Sequence, residues 1–232
     1  MSESSNKKKE FGIGKVQFNM SAENTSSRGA YNLAIGLTVL AGCAVNYLMS
    51  KFYSDQLLNF METSPWIVLI LYFIGSIAGI WIVNKTESPA VGVLGFGLLA
   101  VSMGIVLTAY VSYYTAASVS TAFLITMGIT GVMTLAATVF PAFFSSLGKG
   151  LGIMLLITIL GEILFAFILR QDLGIFDYIV VFIFCGYIGF DWTRAQQRPS
   201  TIVNAIRSAA AIYVDIVNIF IRILAIIGKR RD

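Results

Sequence analysis

Runs of about 20 apolar residues recur along almost the whole chain, and short polar breaks separate them. No other feature limits the fold so strongly. The runs cover about Tyr31 to Leu48, Trp66 to Val83 (behind Pro65), Ala90 to Ser112, Ser118 to Phe140 (stopped by Pro141), Lys149 to Leu169, Phe176 to Asp191, and Asn204 to Ile227. Hydrocarbon offers no partner to a backbone N–H or C=O, so each run must satisfy its own backbone as a helix. The expectation is an all-α polytopic membrane bundle of about seven transmembrane helices. Composition agrees: 57% of the 232 residues are hydrophobic and 12% charged, where a soluble domain carries roughly 25% charged residues. Residues 1–30 read as a flexible, retained cytosolic tail, 31–228 as the transmembrane domain, and 229–232 as a short basic tail.

Loop charges predict the orientation. The tail holds Lys7, Lys8, Lys9, Lys15 and Arg28. Lys51 is offset by Asp55 and Glu62 after the first run, Lys85 follows the second, and Arg170 is offset by Asp172 and Asp177 after the fifth. Arg194 and Arg198 follow the sixth, with Arg207 beyond. This alternation places the N-terminus and the sixth–seventh loop in the cytosol. Lys229, Arg230 and Arg231 break the pattern if the last run crosses fully. Either that run is re-entrant or a short basic tail is tolerated outside. The net charge of +4 thus reads as topological bias and not as a nucleic-acid surface.

Several chemistries are excluded or disfavoured. The chain has no histidine, which removes Ser-His-Asp and Cys-His machinery. Cys43 and Cys185 each sit alone in an apolar run and read as small packing residues, not as a disulfide or a zinc site. Neither an enzyme nor a resident cofactor is expected. Thr126, Thr130, Thr134 and Thr138 recur at i, i+4 spacing in the fourth run. They line a pore or, the stronger reading, bond their own i−4 carbonyls. Gly92, Gly95, Gly97 and Gly104 in the third run suit close helix packing. Trp66, Trp81, Tyr113, Tyr114 and Trp192 near run ends suit an interfacial aromatic belt.

Ionisable groups within the runs are informative, because each costs about 2.5–3.5 kcal/mol to place at the centre of a membrane helix. They are Glu162, Asp191, Asp215 and Arg222. The seventh run reads as the least apolar, and Asn204, Ser208, Ala211, Asp215, Asn218 and Arg222 lie on one helical face of it, at steps of 4, 3, 4, 3 and 4. A polar stripe at membrane depth must face protein or water, so this helix belongs inside the bundle or against a cavity. Asp215 is then a structural group, protonated or paired with Arg222, or a working carboxyl. Asp191 is either a helix-end carboxylate paired with Arg194 or a partner for the seventh-helix stripe. Two carboxyls close together in a poorly solvated site cannot both ionise cheaply. Such a pair offers hard oxygens to Ca²⁺ when ionised and closes on a shared hydrogen bond when protonated. Glu162 supplies a further oxygen on a pathway or bonds a neighbouring helix; Ser208 and Asn218 are the other candidates along that pathway.

The stretch Gly189-Phe190-Asp191-Trp192-Thr193-Arg194-Ala195-Gln196 resembles the sixth-helix motif of the Bax inhibitor-1 family, also called the transmembrane BAX inhibitor motif family. The segment Ala211-Ile212-Tyr213-Val214-Asp215-Ile216-Val217-Asn218-Ile219-Phe220 resembles its seventh-helix signature, and Ile221 to Gly228 its ending. The spacing of Asp191 and Asp215 is similar to that of the paired aspartates in bacterial members. The resemblance implies a seven-helix fold with the last helix central, in a bacterial cell membrane. It also implies a pH-sensitive Ca²⁺ leak with Asp191 and Asp215 as sensor, gate and ion contact. Some bacterial members instead modulate a membrane-bound protease, so regulation of a membrane partner is the alternative. An arginine that latches the first aspartate in some members has no clear counterpart here; Lys85 is the displaced candidate. The acidic residue often found in the second or third helix is missing.

Overall fold

The computed structural model describes residues 26–168 and 174–230, which form seven helices long and apolar enough to cross a membrane, with no strand among them. Lys7, Lys8, Lys9, Lys15, Arg170, Asp172 and Arg231 lie outside the described residues. The spanning helices are α1 (Arg28–Phe52), α3 (Pro65–Lys85), α4 (Pro89–Ser112), α5 (Ala116–Val139), α7 (Gly148–Ile163, continued by a π-helical turn, Leu164–Ile168), α8 (Ile175–Gln197) and α9 (Ile202–Ile227). Two short helices were not legible as such. Helix α2 (Ser54–Thr63) has no buried residue and links α1 to α3, and α6 (Pro141–Ser146) links α5 to α7.

Local chemistry sets the helix ends. The hydroxyls of Ser27, Thr115 and Thr201 accept from the backbone N–H of Ala30, Ser118 and Asn204 at 3.2, 3.3 and 3.3 Å, as N-caps do. Pro65, Pro89 and Pro141 open α3, α4 and α6, where a missing N–H costs nothing. Helix α8 runs past the expected end at Asp191 to Gln197, so Asp191 is an interior residue of its helix.

Helix α9 is the most buried span and packs against α8, α1, α5, α4 and α3. Its 26 residues form one unbroken helix, about 39 Å long. The re-entrant alternative is therefore wrong: the helix crosses, and Lys229 and Arg230 emerge on the face opposite the N-terminus. There the Lys229 carbonyl accepts from the Thr115 N–H (3.0 Å), and the Lys229 N–H donates to the Ser118 hydroxyl (2.9 Å). By hydropathy α8, not α9, is the least apolar span. The stripe misled because its polar groups are few, and Ile and Val fill the rest of α9.

Close packing holds α3 against α4. A Cβ added at Gly79 would lie 2.8 Å from both the Gly95 carbonyl oxygen and the Leu99 amide nitrogen. Gly95 in turn abuts Ile82 and Val83, Gly104 receives Asn46 and Met49, and Gly92 touches Ile206, whereas Gly97 faces open space. The threonine series bonds its own helix, with Thr126, Thr130 and Thr138 donating to the carbonyls four residues earlier. Both cysteines are free. Trp66, Trp81 and Tyr113 are exposed, but Tyr114 is buried beneath Gly228 and is no part of an aromatic belt. Gly79→Ala should destabilise the protein by about 1–3 kcal/mol through backbone overpacking, while Gly97→Ala should be neutral or mildly stabilising. Thermal unfolding of both variants in one detergent checks this; equal losses would show that the α3–α4 crossing is not the tight contact.

Candidate functional site

The centre of α9 carries Asp215, only 4% exposed. Its carboxyl meets that of Asp191 on α8 within hydrogen-bonding reach. Two bare carboxylates in that relation would repel in a medium that screens them poorly. Oδ2 of Asp215 is buried and makes no hydrogen bond. Tyr187, four residues before Asp191 on α8, is near both acids. Arg194 and Arg198 act on the charge of Asp191, yet neither forms an ion pair with it among the described residues.

Toward the N-terminal face the pair is covered by a hydrogen-bonded cluster. Ser208, 2% exposed, accepts from Arg198 Nη1 at 3.2 Å and lies 3.2 Å from the Tyr31 hydroxyl. Tyr31 is fully buried and also bonds the Ala195 carbonyl at 3.1 Å. Arg28 Nη1 donates to the Arg198 carbonyl at 2.9 Å, and the Ser26 N–H to the Ser200 carbonyl at 2.8 Å. Gln196 reaches Asn32 at 3.0 Å. The start of α1 is thereby stitched across the α8–α9 connection. Burial holds the Arg198 guanidinium below its ordinary value, and Arg194 pushes the same way.

Toward the opposite face the stripe ends in an ion cluster. Arg222 contacts Glu162 of α7 at 2.6 and 3.0 Å through both terminal nitrogens, and Asp177 of α8 at 2.8 Å. This settles two sequence alternatives. Arg222 is not the partner of Asp215, because two turns of helix separate them and two nearer carboxylates claim the guanidinium. Glu162 bonds a neighbouring helix. Asn218, also on the stripe, donates to the Val214 carbonyl of its own helix at 2.8 Å. Asp177 appeared in the sequence only as a loop charge, and Tyr31 only as the start of a run. Helical spacing finds partners within one helix and gives no signal for partners between helices.

Lys85 does not serve as the displaced latch. It is exposed at the end of α3 and makes no ion pair among the described residues. Arg207 of α9 occupies that corner instead, donating to the carbonyls of Val83 (3.2 Å) and Thr86 (2.6 Å) and pairing with Glu87 (2.9 Å). Arg194 is exposed.

A resident metal does not fit. No group of three or more His, Cys, Asp or Glu side chains suited to a metal ion occurs among the described residues. Two carboxyls fall far short of the roughly 6–8 oxygens that Ca²⁺ takes.

The family described as "Inhibitor of apoptosis-promoting Bax1" matches residues 24–232. Bax inhibitor 1 of Schizosaccharomyces pombe is 28% identical over 185 residues, covering 78% of this chain and 69% of the relative. Inner membrane protein YbhL of Escherichia coli K12 is 29% identical over 155 residues, covering 62% of this chain and 66% of YbhL. A Deinococcus radiodurans protein is 27% identical over 213 residues, covering 86% and 87%. With seven apolar helices, the last of them central, and a family match over all the described residues, the chain belongs to the Bax inhibitor-1 family of multi-pass membrane proteins.

Proposed function

We propose that this membrane protein passes Ca²⁺ slowly down its gradient and that the Asp191–Asp215 pair gates the passage according to pH. The observation that carries this reading is two facing carboxyls in the middle of the bundle, one almost wholly buried and with an oxygen unpartnered. The hydrogen-bonded cluster on one side and the Arg222 cluster on the other make the arrangement a closed one.

The sign of the pH effect follows from the pair. At low pH one proton sits between the carboxyls, and they hold α8 and α9 together. As pH rises that proton leaves, two like charges face each other, and the hydrogen bond that closed the site is lost. The ionised oxygens can then replace part of the hydration shell of Ca²⁺. Flux should therefore climb with pH, by at most about tenfold per unit for a single controlling proton.

Orientation follows the charge distribution. Among the described residues the N-terminal face carries Arg28, Lys85, Lys149, Arg194, Arg198 and Arg207 against Glu87. The opposite face mixes Lys51, Lys229 and Arg230 with Asp55 and Glu62. By the positive-inside rule the N-terminal face is cytosolic. In intact bacterial cells an impermeant maleimide should label Lys229→Cys and leave Lys85→Cys unlabelled; the reverse would invert the topology.

Two flux experiments test the gate. In proteoliposomes loaded with a Ca²⁺ indicator, Asp215→Asn should abolish the pH dependence and hold flux at its low-pH level, since an amide still bonds Asp191 but cannot ionise. Unchanged flux and pH dependence would disprove the gate, and no flux from the purified wild type would favour the regulatory reading. Tyr31→Phe removes a hydroxyl that bonds both Ala195 and Ser208. It should raise low-pH flux about fivefold, the effect of about 1 kcal/mol lost from the closed state. A flux equal to wild type would show that this cluster does not hold the passage shut.

A further inference from the structure

Helix α7 is the least buried of the seven spans, and among the spanning helices it packs extensively only on α8. Small residues set that contact: Gly186 of α8 abuts Leu151, Gly148 abuts Phe190, and Gly161 abuts Phe176. Leu151, Thr158 and Glu162 follow at steps of 7 and 4, so they share the face turned to the bundle. Two residues beyond Glu162 the helix widens into the π-helical turn, Leu164–Ile168. Such turns recur inside helices at functional sites.

Glu162 nevertheless reaches the central helix. Its two oxygens accept from both terminal nitrogens of Arg222, at 2.6 and 3.0 Å, and Asp177 of α8 accepts from Nη1 at 2.8 Å. A bidentate pair of this kind fixes orientation as well as distance. Arg222 stands on the same face of α9 as Asp215, about 10.5 Å further toward the face opposite the N-terminus, and Asn218 lies between them. Asp177 and Asp191 likewise share one face of α8, since their separation turns the helix by about 320°. The α8–α9 seam thus has polar contacts at two levels, and the outer level also involves α7. The side chains of Arg222, Glu162 and Asp177 are 28, 26 and 21% exposed. Water reaches them, so the pair opens at modest cost.

We infer that Glu162 and Arg222 form a latch that closes the passage a second time, at the face opposite the N-terminus, and that α7 is the arm that releases it. This rests on the proposed Ca²⁺ passage and adds a step to it. An ion beyond the carboxyl pair meets the guanidinium, held across the stripe by Glu162, and is repelled by it. When α7 swings outward, Glu162 leaves, while Arg222 keeps Asp177, so release strands no cation. The two closures stand in series, the inner one set by pH and the outer one by the position of α7. Even with the pair ionised, flux is limited to the fraction of time that the latch is open, which makes the leak slow.

Glu162→Gln tests the latch, because it removes the charge of the arm and leaves Arg222 paired with Asp177. In proteoliposomes it should raise Ca²⁺ flux about fivefold at high pH, where the carboxyl pair is open, and leave low-pH flux unchanged, where the pair still closes the passage. A rise by the same factor at both pH values would indicate a loosened bundle and overturn the latch, as would flux equal to wild type at high pH. A second arm needs no Ca²⁺ transport. In a Cys43→Ser, Cys185→Ser background, Asn218→Cys supplies a thiol between the two closures. At one fixed pH, a cationic, membrane-impermeant methanethiosulfonate should label it about fivefold faster with Glu162→Gln than with Glu162 in place. Equal labelling rates would overturn the latch, whereas absence of Ca²⁺ flux from the wild type with faster labelling would sink the leak and keep the latch.

Discussion

The contact between Asp215 and Asp191 organises the rest of the molecule. A carboxyl midway along a membrane helix cannot face lipid without a cost of several kcal/mol. Helix α9 is consequently drawn to the centre, and the other spans surround it. A carboxyl in the centre still needs a partner for its polar atoms, and among the described residues no cation forms an ion pair with it. The second carboxyl, on α8, is the polar group that faces it.

The remaining charges are handled differently. Arg222 cannot shed its proton, and at membrane depth it must be paired. It takes two carboxylates, Glu162 and Asp177, which ties α7, α8 and α9 at the face opposite the N-terminus. An ion pair of this kind contributes more to fixing which helices meet than to net stability, since desolvation offsets much of the attraction. Arg207 does similar work at the N-terminal face through the carbonyls of Val83 and Thr86, acceptors that a helix end leaves free, and Arg198 does so through the Ser208 hydroxyl.

Hydropathy made the seven spans legible, because in a bilayer length and apolarity nearly determine a helix. The step pattern from Asn204 to Arg222 was enough to place α9 inside, since any helix carrying such a stripe must hide it. What stayed illegible was pairing between helices. Arg222 looked like the partner of Asp215 because both were on one stripe, yet its carboxylates come from α7 and α8, 60 and 45 residues away in sequence. Lys85 looked like a latch by sequence position, but Arg207 takes the corner it would have used. Helix α6 fell between two apolar runs with no hydropathic contrast to mark it. It nonetheless carries Phe144, which packs on Gly189, two residues before Asp191.

Helix α9 meets two unlike environments. At about 100° per residue, Val217 and Phe220 lie about 200° from Asp215 and Asn218 respectively, so the gap between α1 and α5 that they floor is roughly opposite the polar stripe. Tyr213, bonded to Asn46 on that side, is two residues from Asp215. The carboxyl contact and the gap between α1 and α5 therefore border one unbroken helix on opposite sides.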